Sequence, residues 1–411
     1  MSASARPPPG SAHCALVLSG GGARTAYQAG VLAALAAVWP HGHFPFLSLF
    51  GTSAGAINAA FLASRASRGV SSLAALARYW RRLTGDTIYR LPVPHWATWH
   101  RWLLAWQLSQ RVQRTGALLD NTPLQHFLRQ GIDWADLARA TREGPLDALG
   151  ITASSYTGGE HWTFCQLRPG HALPQWQRPG RRLHASDIRL EHVMASSAIP
   201  FLFPGVALDV PMAPGSSEPC RELFGDGAMR HTFPLSAPMH LGARRILVIS
   251  ANPGPQPDDD VACSTEDHPS LAHIAGHVLN SVFHDTLHSN MDQIRRINSL
   301  IGSLPPEATR TLDHGIVDVM AIHPSRGPDE IAREHMGQLP PGLRDALDSL
   351  GMLADSSGVL ASYLLFSPGF IAALIRLGWD DGLARRDELV EFLSQASSAP
   401  KATRPCAPRW Q

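Results

Sequence analysis

The chain is poor in charge: 17% of its 411 residues are Asp, Glu, Lys or Arg, against 44% hydrophobic. That balance excludes a disordered, solvating polymer and leaves enough apolar material for a large buried core. Cysteine is scarce as well. Cys14, Cys165, Cys220, Cys263 and Cys406 are scattered and odd in number, with no CxxC pair to chelate a metal or cycle through a disulfide. A reducing compartment, the cytoplasm, is the expectation. The opening MSASARPPPGSAH lacks a basic segment followed by an apolar one, so no secretory leader is legible. Long hydrophobic runs are missing too, because the stretch from Val359 to Leu377 is broken at Pro368-Gly369. Any membrane contact is therefore expected to be peripheral. Acids are nearly absent from residues 1–119, where Asp86 stands alone against eleven arginines. That segment carries about +10 and the remainder about −9. An anionic lipid surface or a phosphate-bearing substrate would suit it, and so would pairing with acids of the C-terminal half.

What is present reads as an α/β chain. Residues 1–12 and 397–411 are Pro/Ser/Ala-rich tails expected to be disordered. Between them, Cys14–Ser19 is a short apolar run, followed by a glycine cluster and by Ala/Leu at helical spacing over Arg24–Val38. The pattern recurs as Phe46–Phe50, the turn Gly51–Gly55 and a helix over Ala56–Ala66. Two such units predict a central, mainly parallel sheet with helices on both faces. Further strands are predicted over Leu149–Ala153 and Arg245–Ala251, with a helix over Glu191–Ala198. Pro211–Pro219 and Asn252–His268 read as irregular loops, and His273–Leu300 as a long amphipathic helix.

Three segments carry chemistry. Gly51-Thr52-Ser53-Ala54-Gly55 fits G-x-S-x-G, in which a sharp strand-to-helix turn exposes a serine. A side chain at Gly51 or Gly55 would collide with neighbouring backbone, and the following helix favours negative charge developing at Ser53. The bland alternative is a tight turn alone. Ser19-Gly20-Gly21-Gly22-Ala23-Arg24 leaves amides uncovered that can converge as an oxyanion hole. It is no dinucleotide fingerprint, since Thr25 stands where a third glycine belongs and no ribose-binding acid follows before Gly85. No lysine follows it, so it is no P-loop. Asp226-Gly227-Ala228 is a glycine-flanked turn after Leu223-Phe224, able to present a carboxylate to Ser53.

Together these segments resemble the patatin-like phospholipase family, in the family's order. Ala195-Ser196-Ser197-Ala198-Ile199-Pro200, Phe203-Pro204 and the run from Pro234 to Ala243 extend the likeness over about residues 14–251, and residues 271–377 look like the longer bacterial members. The resemblance implies a three-layer α/β/α fold with a helical C-terminal extension. It implies a catalytic dyad of Ser53 and Asp226 without a histidine, and an oxyanion hole from Gly20, Gly21, Gly22 and Ala23. Arg24, Gly51, Gly55 and Gly227 take supporting roles, Arg24 steadying either the loop or the anionic end of a substrate. Thr25 departs from the family's usual glycine at that place. The implied division is a catalytic domain over residues 13–251, with a helical insertion at about 72–145, and an extension over 252–396.

The implied substrate is a lipid acyl ester, with no metal, organic cofactor or nucleic acid. A tryptophan-rich segment, Trp96–Trp106, is a candidate for peripheral membrane contact or for helix packing. His273/His277 and His284/His288 are spaced i,i+4 but lack H-E-x-x-H, and read as a solvated helix face. Two other readings stay open: a Ser-His-Asp esterase or acyltransferase using His231 or His240, and a non-catalytic lipid or acyl-CoA binding module.

Overall fold

Two βα units open the chain, as its alternating apolar runs predict. Strand β1 (Cys14–Leu18) leads through a single 3-10 turn over Gly22–Thr25 into helix α1 (Ala26–Val38), and β2 (Ser48–Thr52) leads into α2 (Ala54–Ala63). The remaining strands are β3 (Ala148–Ser155), β4 (His161–Leu167), β5 (Arg181–Ala185), β6 (Val206–Pro211), β7 (Pro219–Asp226), β8 (Arg245–Ile249) and β9 (Asp318–Ile322). They form one sheet in the order β5-β4-β3-β2-β1-β8-β9, with β7 pairing β3 and β6 pairing β7. The computed structural model describes residues 13–92, 110–174, 180–211, 219–229, 234–254, 287–309, 312, 315–349 and 357–394. Trp96–Trp106, His231, most of the Asn252–His268 loop, the first part of the His273–Leu300 helix and both tails lie outside them.

The sheet is mainly parallel. β1 is flanked by β2 and β8, and β8 by β9, all parallel, while β3 pairs β2 in parallel and β4 and β7 antiparallel. Residues of β1 alternate between two cores. Leu16 and Leu18 join a large one with α1 and α2, whereas Ala15 and Val17 join a second with Phe50, Ile246, Leu287, Met291 and Ile294. A strand buried on both faces needs no polar alternation, which is why CALVL is continuously apolar. Helix α3 (Ser71–Trp80) lies on α1. The predicted C-terminal extension is mainly helical, but it also contributes β9, the outermost strand beside β8. Its helix α4 (Leu287–Gly302) covers the second core; α5 (Pro328–His335), α6 (Ser357–Leu364) and α7 (Pro368–Ala384) join the first. Close approach of α7 to α1 depends on glycine: a Cβ at Gly30 would meet the Ile375 carbonyl, and one at Gly378 the Tyr27 carbonyl. Among the described residues, no helix is long and apolar enough to cross a membrane.

Candidate active site

Register brings Ser53 and Asp226 together. Thr52 at the end of β2 aligns with Thr152 of β3, and the next β3 residue, Ala153, pairs with Asp226 at the end of β7. The antiparallel entry of β7 thus sets Asp226 beside the β2–α2 turn, although 173 positions separate it from Ser53. Ser53 Oγ donates to Asp226 Oδ2 at 2.6 Å, and Ala228 N–H donates to Asp226 Oδ1 at 2.8 Å. Both residues are buried. Loss of solvation pushes the Asp226 carboxyl up to about 7, against the lowering effect of those two hydrogen bonds.

Ser53 has φ 55° and ψ −131°, a strained conformation at the sharp strand-to-helix turn. The turn closes only because its glycines have no side chains. A Cβ at Gly55 would strike the Leu18 and Ser19 carbonyls, and one at Gly51 the Gly55 backbone. Gly20 lies close over the serine, where a Cβ would stand 2.9 Å from Ser53 Cβ. Gly22 has φ 54° and lines the same cavity as Ser53. Among the described residues no acceptor engages the N–H of Gly21 or Gly22, so these amides remain available to an incoming oxygen. Ala23 is fully buried beneath them.

Arg24 serves the loop rather than the cavity. It is 2% exposed and donates to Ser362 Oγ at 2.6 Å, Asn252 Oδ1 at 2.9 Å and the Val359 carbonyl at 3.3 Å. It also pairs with Asp329 and lies 4.0 Å over the Tyr363 ring.

Several residues essential to this geometry carry no sequence signal for the contact they make. Ser196 Oγ accepts from Ser53 N at 2.9 Å while donating to the Thr152 carbonyl, and Ser197 Oγ donates to the Ser53 carbonyl at 3.2 Å. The two hydroxyls grip the Ser53 residue through its amide and its carbonyl. Gly227 donates to the Ser196 carbonyl, and its own carbonyl is 3.0 Å from His161 Nε2. Burial lowers the His161 pKa to about 4, so the neutral ring donates there. Under the glycine loop, Gln28 donates to the Ser19 and Ile249 carbonyls, Asn58 to Gln28, and Trp80 to Asn58. Among the described residues, no histidine hydrogen-bonds Ser53 or Asp226, and no cluster of His, Cys, Asp and Glu could hold a metal ion.

The cavity beside Ser53 is tight, about 30 Å³ in volume, and its walls are chiefly apolar. Ile57, Trp80, Leu124, Phe127, Phe203 and Phe366 supply most of that surface. Walls of this kind suit a hydrocarbon chain better than a polar group.

Among solved structures, the chain is similar to VipD from Legionella pneumophila, with 15% identity over 92% of this chain and 67% of that one and a TM-score of 0.36. It is also similar to human GIVD cytosolic phospholipase A2 in complex with methyl gamma-linolenyl fluorophosphonate, with 12% identity over 93% of this chain and a TM-score of 0.39. The chain spans 59% of the length of that human protein. A third similar structure is full-length ExoU from the type III secretion system of Pseudomonas aeruginosa, in complex with SpcU, with 15% identity over 87% and 70% of the two chains and a TM-score of 0.25. No curated protein matches the chain significantly. The profile of the patatin-like phospholipases matches residues 16–239, more than half of the sequence and inclusive of the glycine loop, the serine turn and Asp226-Gly227: the chain belongs to the patatin-like phospholipase family.

Proposed function

We propose that this chain hydrolyses fatty acyl esters of lipids, with Ser53 as nucleophile and Asp226 as its base. The observation that carries the reading is the 2.6 Å hydrogen bond between a strained serine and a fully buried carboxylate at the end of an apolar cavity. Ser53 Oγ attacks the ester carbonyl carbon as its proton passes to Asp226 Oδ2. The amides of Gly20, Gly21, Gly22 and Ala23 receive the developing oxyanion, each such donor being worth about 3 kcal/mol. Collapse breaks the ester bond, and the alcohol leaves with the proton from Asp226. Water, deprotonated by Asp226, then attacks the acyl-serine carbonyl; the bond to Ser53 Oγ breaks as that oxygen takes the proton back from Asp226, and the fatty acid departs. No metal or organic cofactor enters either half-reaction.

The Ser-His-Asp alternative requires a histidine on Ser53; among the described residues none hydrogen-bonds it, and His161 is bonded to the Gly227 carbonyl. His231 lies outside the described residues, so His231→Ala and His240→Ala, each expected to retain turnover, test that reading. The test is acyl release across phospholipids, lysophospholipids, neutral glycerides and short aryl esters, with Ser53→Ala as blank, together with labelling by a fluorophosphonate. Turnover lost in Ser53→Ala, with Ser53 labelled in the parent, is the expected result. A parent indistinguishable from the blank on every class, with Ser53 unlabelled, would leave a binding module.

A further inference from the structure

We propose that Phe201 is a lipid-surface anchor: an aromatic ring held outward beside the acyl cavity and flanked by Arg90 and Arg114, which enters the interface of an anionic phospholipid membrane. The purpose of such an anchor rests on the hydrolase reading above.

Phe201 is 65% exposed, although Leu202 and Phe203 beside it are 2% and 4% exposed. Its φ of 63° lies in the left-handed region, and among the described residues the one other non-glycine there is Ser53. A bulky side chain in that region is costly and persists only where surrounding contacts impose it. Those contacts are visible. The Phe201 carbonyl accepts from Leu118 N–H at 2.8 Å, the Leu202 carbonyl from Leu119 N–H at 2.9 Å, and the Ile199 carbonyl from Phe203 N–H at 2.8 Å. The turn places Ile199 and Phe203 in the cavity wall and leaves Phe201 on the surface between them in sequence. Isolated exposed hydrophobic residues are ordinary. An exposed aromatic ring fixed by a strained turn at the wall of an acyl cavity is not, because water rewards neither the exposure nor the strain, whereas a lipid interface rewards burial of the ring.

Charge selects the surface. Ala117 bridges to Phe201, and Arg114, three residues before it, is exposed. Three residues after Ala117, Asp120 exchanges two 2.9 Å backbone hydrogen bonds with exposed Arg90. The Asp120 carboxylate is turned onto its own chain, accepting from Thr122 N–H at 3.1 Å and Thr122 Oγ1 at 2.6 Å. Leu223, 44% exposed, approaches Gly205 and widens the apolar area four residues beyond Phe201. An exposed aromatic tip whose neighbouring chain segments carry the exposed Arg90 and Arg114, with the Asp120 carboxylate turned away, matches an anionic lipid headgroup layer.

The experiment is flotation of the full chain, carrying Ser53→Ala so that lipid stays intact, with vesicles of phosphatidylcholine alone or mixed with phosphatidylglycerol. Phe201→Gly is the informative variant, since glycine is at home at this φ and keeps the turn. It is expected to hold or raise the thermal midpoint while weakening vesicle binding about tenfold or more. Phe201→Trp is expected to retain binding, and Arg90→Glu with Arg114→Glu to abolish the preference for phosphatidylglycerol. Undiminished flotation of Phe201→Gly, or failure of the parent to float on either vesicle, would overturn the proposal. Flotation reads binding without turnover, so such a failure leaves the Ser53 chemistry standing, and a failure of that chemistry leaves the flotation result standing.

Discussion

At the residue scale the central question is how an aspartate serves as base for a serine hydroxyl. An ordinary carboxyl, with a pKa near 3.8, holds a proton too weakly, and burial of Asp226 to about 7 narrows that gap. Rate is therefore expected to rise with pH up to about 7 and level off above it, as the free carboxylate becomes the major form, and kcat/KM measured on a dissolved ester checks this. Asp226→Asn and Ser53→Ala are each expected to remove turnover in the same assay. The raised pKa also has a sign in stability. The folded state holds the Asp226 proton more tightly than the unfolded one, so this group's contribution falls as pH climbs from about 4 to about 7 and stays low above. Ionised and buried, it costs the fold on the order of 4 kcal/mol. His161 and His192 act in the opposite direction. Burial lowers both to about 4, so their neutral forms support the fold above the ordinary histidine range and lose that support as pH falls toward 4. The Asp226 effect is isolated by difference: the thermal midpoint of Asp226→Asn minus that of the parent should grow between pH 4 and pH 7, then hold constant. A difference that stays flat over this range would mean Asp226 is not titrating from a desolvated state.

At the element scale, the glycine loop keeps its shape by being tied to a helix more than 300 residues later. Arg24 joins Ser362 and Asp329, and Gly22 packs so closely on the Tyr363 carbonyl that a Cβ could not fit. Asp329→Asn leaves the buried guanidinium short of its countercharge. It should cost about 2 kcal/mol of stability by denaturant titration and lower turnover on every ester alike, because the amides over Ser53 lose their anchor. Gly22→Ala, at φ 54° and against that carbonyl, should be worse on both measures. None of this dependence could be read from the sequence, where Asp329 and Ser362 are ordinary helix residues. What could be read was what local geometry alone requires: the glycines of the elbow, the aspartate turn, and strands β1, β2 and β8 from their apolar runs, although β2 runs over Ser48–Thr52, two residues later than the predicted Phe46–Phe50. Strands β4, β5, β6, β7 and β9 escaped for physical reasons. β4 alternates polar and apolar only over His161–Phe164, and its polar residues are buried rather than facing solvent, while β5 and β9 are short edge strands carrying charge. Ser196 and Ser197 sit in a recognisable motif, but only tertiary structure reveals that their hydroxyls hold Ser53.

At the scale of the whole molecule, the segment beyond residue 251 behaves as part of one body with the first half. β9 extends the sheet from β8, α7 covers α1 at the glycine contacts, and Phe366 forms a wall of the cavity, stacked on Trp80. Phe370, Ile371, Leu374 and Ile375 of α7 are each 4% exposed or less. At about 1.5–3 kcal/mol for each buried side chain, these four alone supply on the order of 10 kcal/mol as an upper bound. A domain's net stability is of similar size, about 5–15 kcal/mol. Removing α7 therefore leaves no surplus to hold the rest. A chain ending at residue 254 should give no cooperative thermal transition, should bind a hydrophobic dye through the uncovered face of α1, and should not hydrolyse even a dissolved aryl ester, since the cavity has lost Phe366 and Arg24 has lost Ser362 and Asp329. If that truncated chain instead melts cooperatively and turns over the small ester, the extension is a separable appendage, and the shared core and the Arg24 tie carry far less of the fold than their burial indicates.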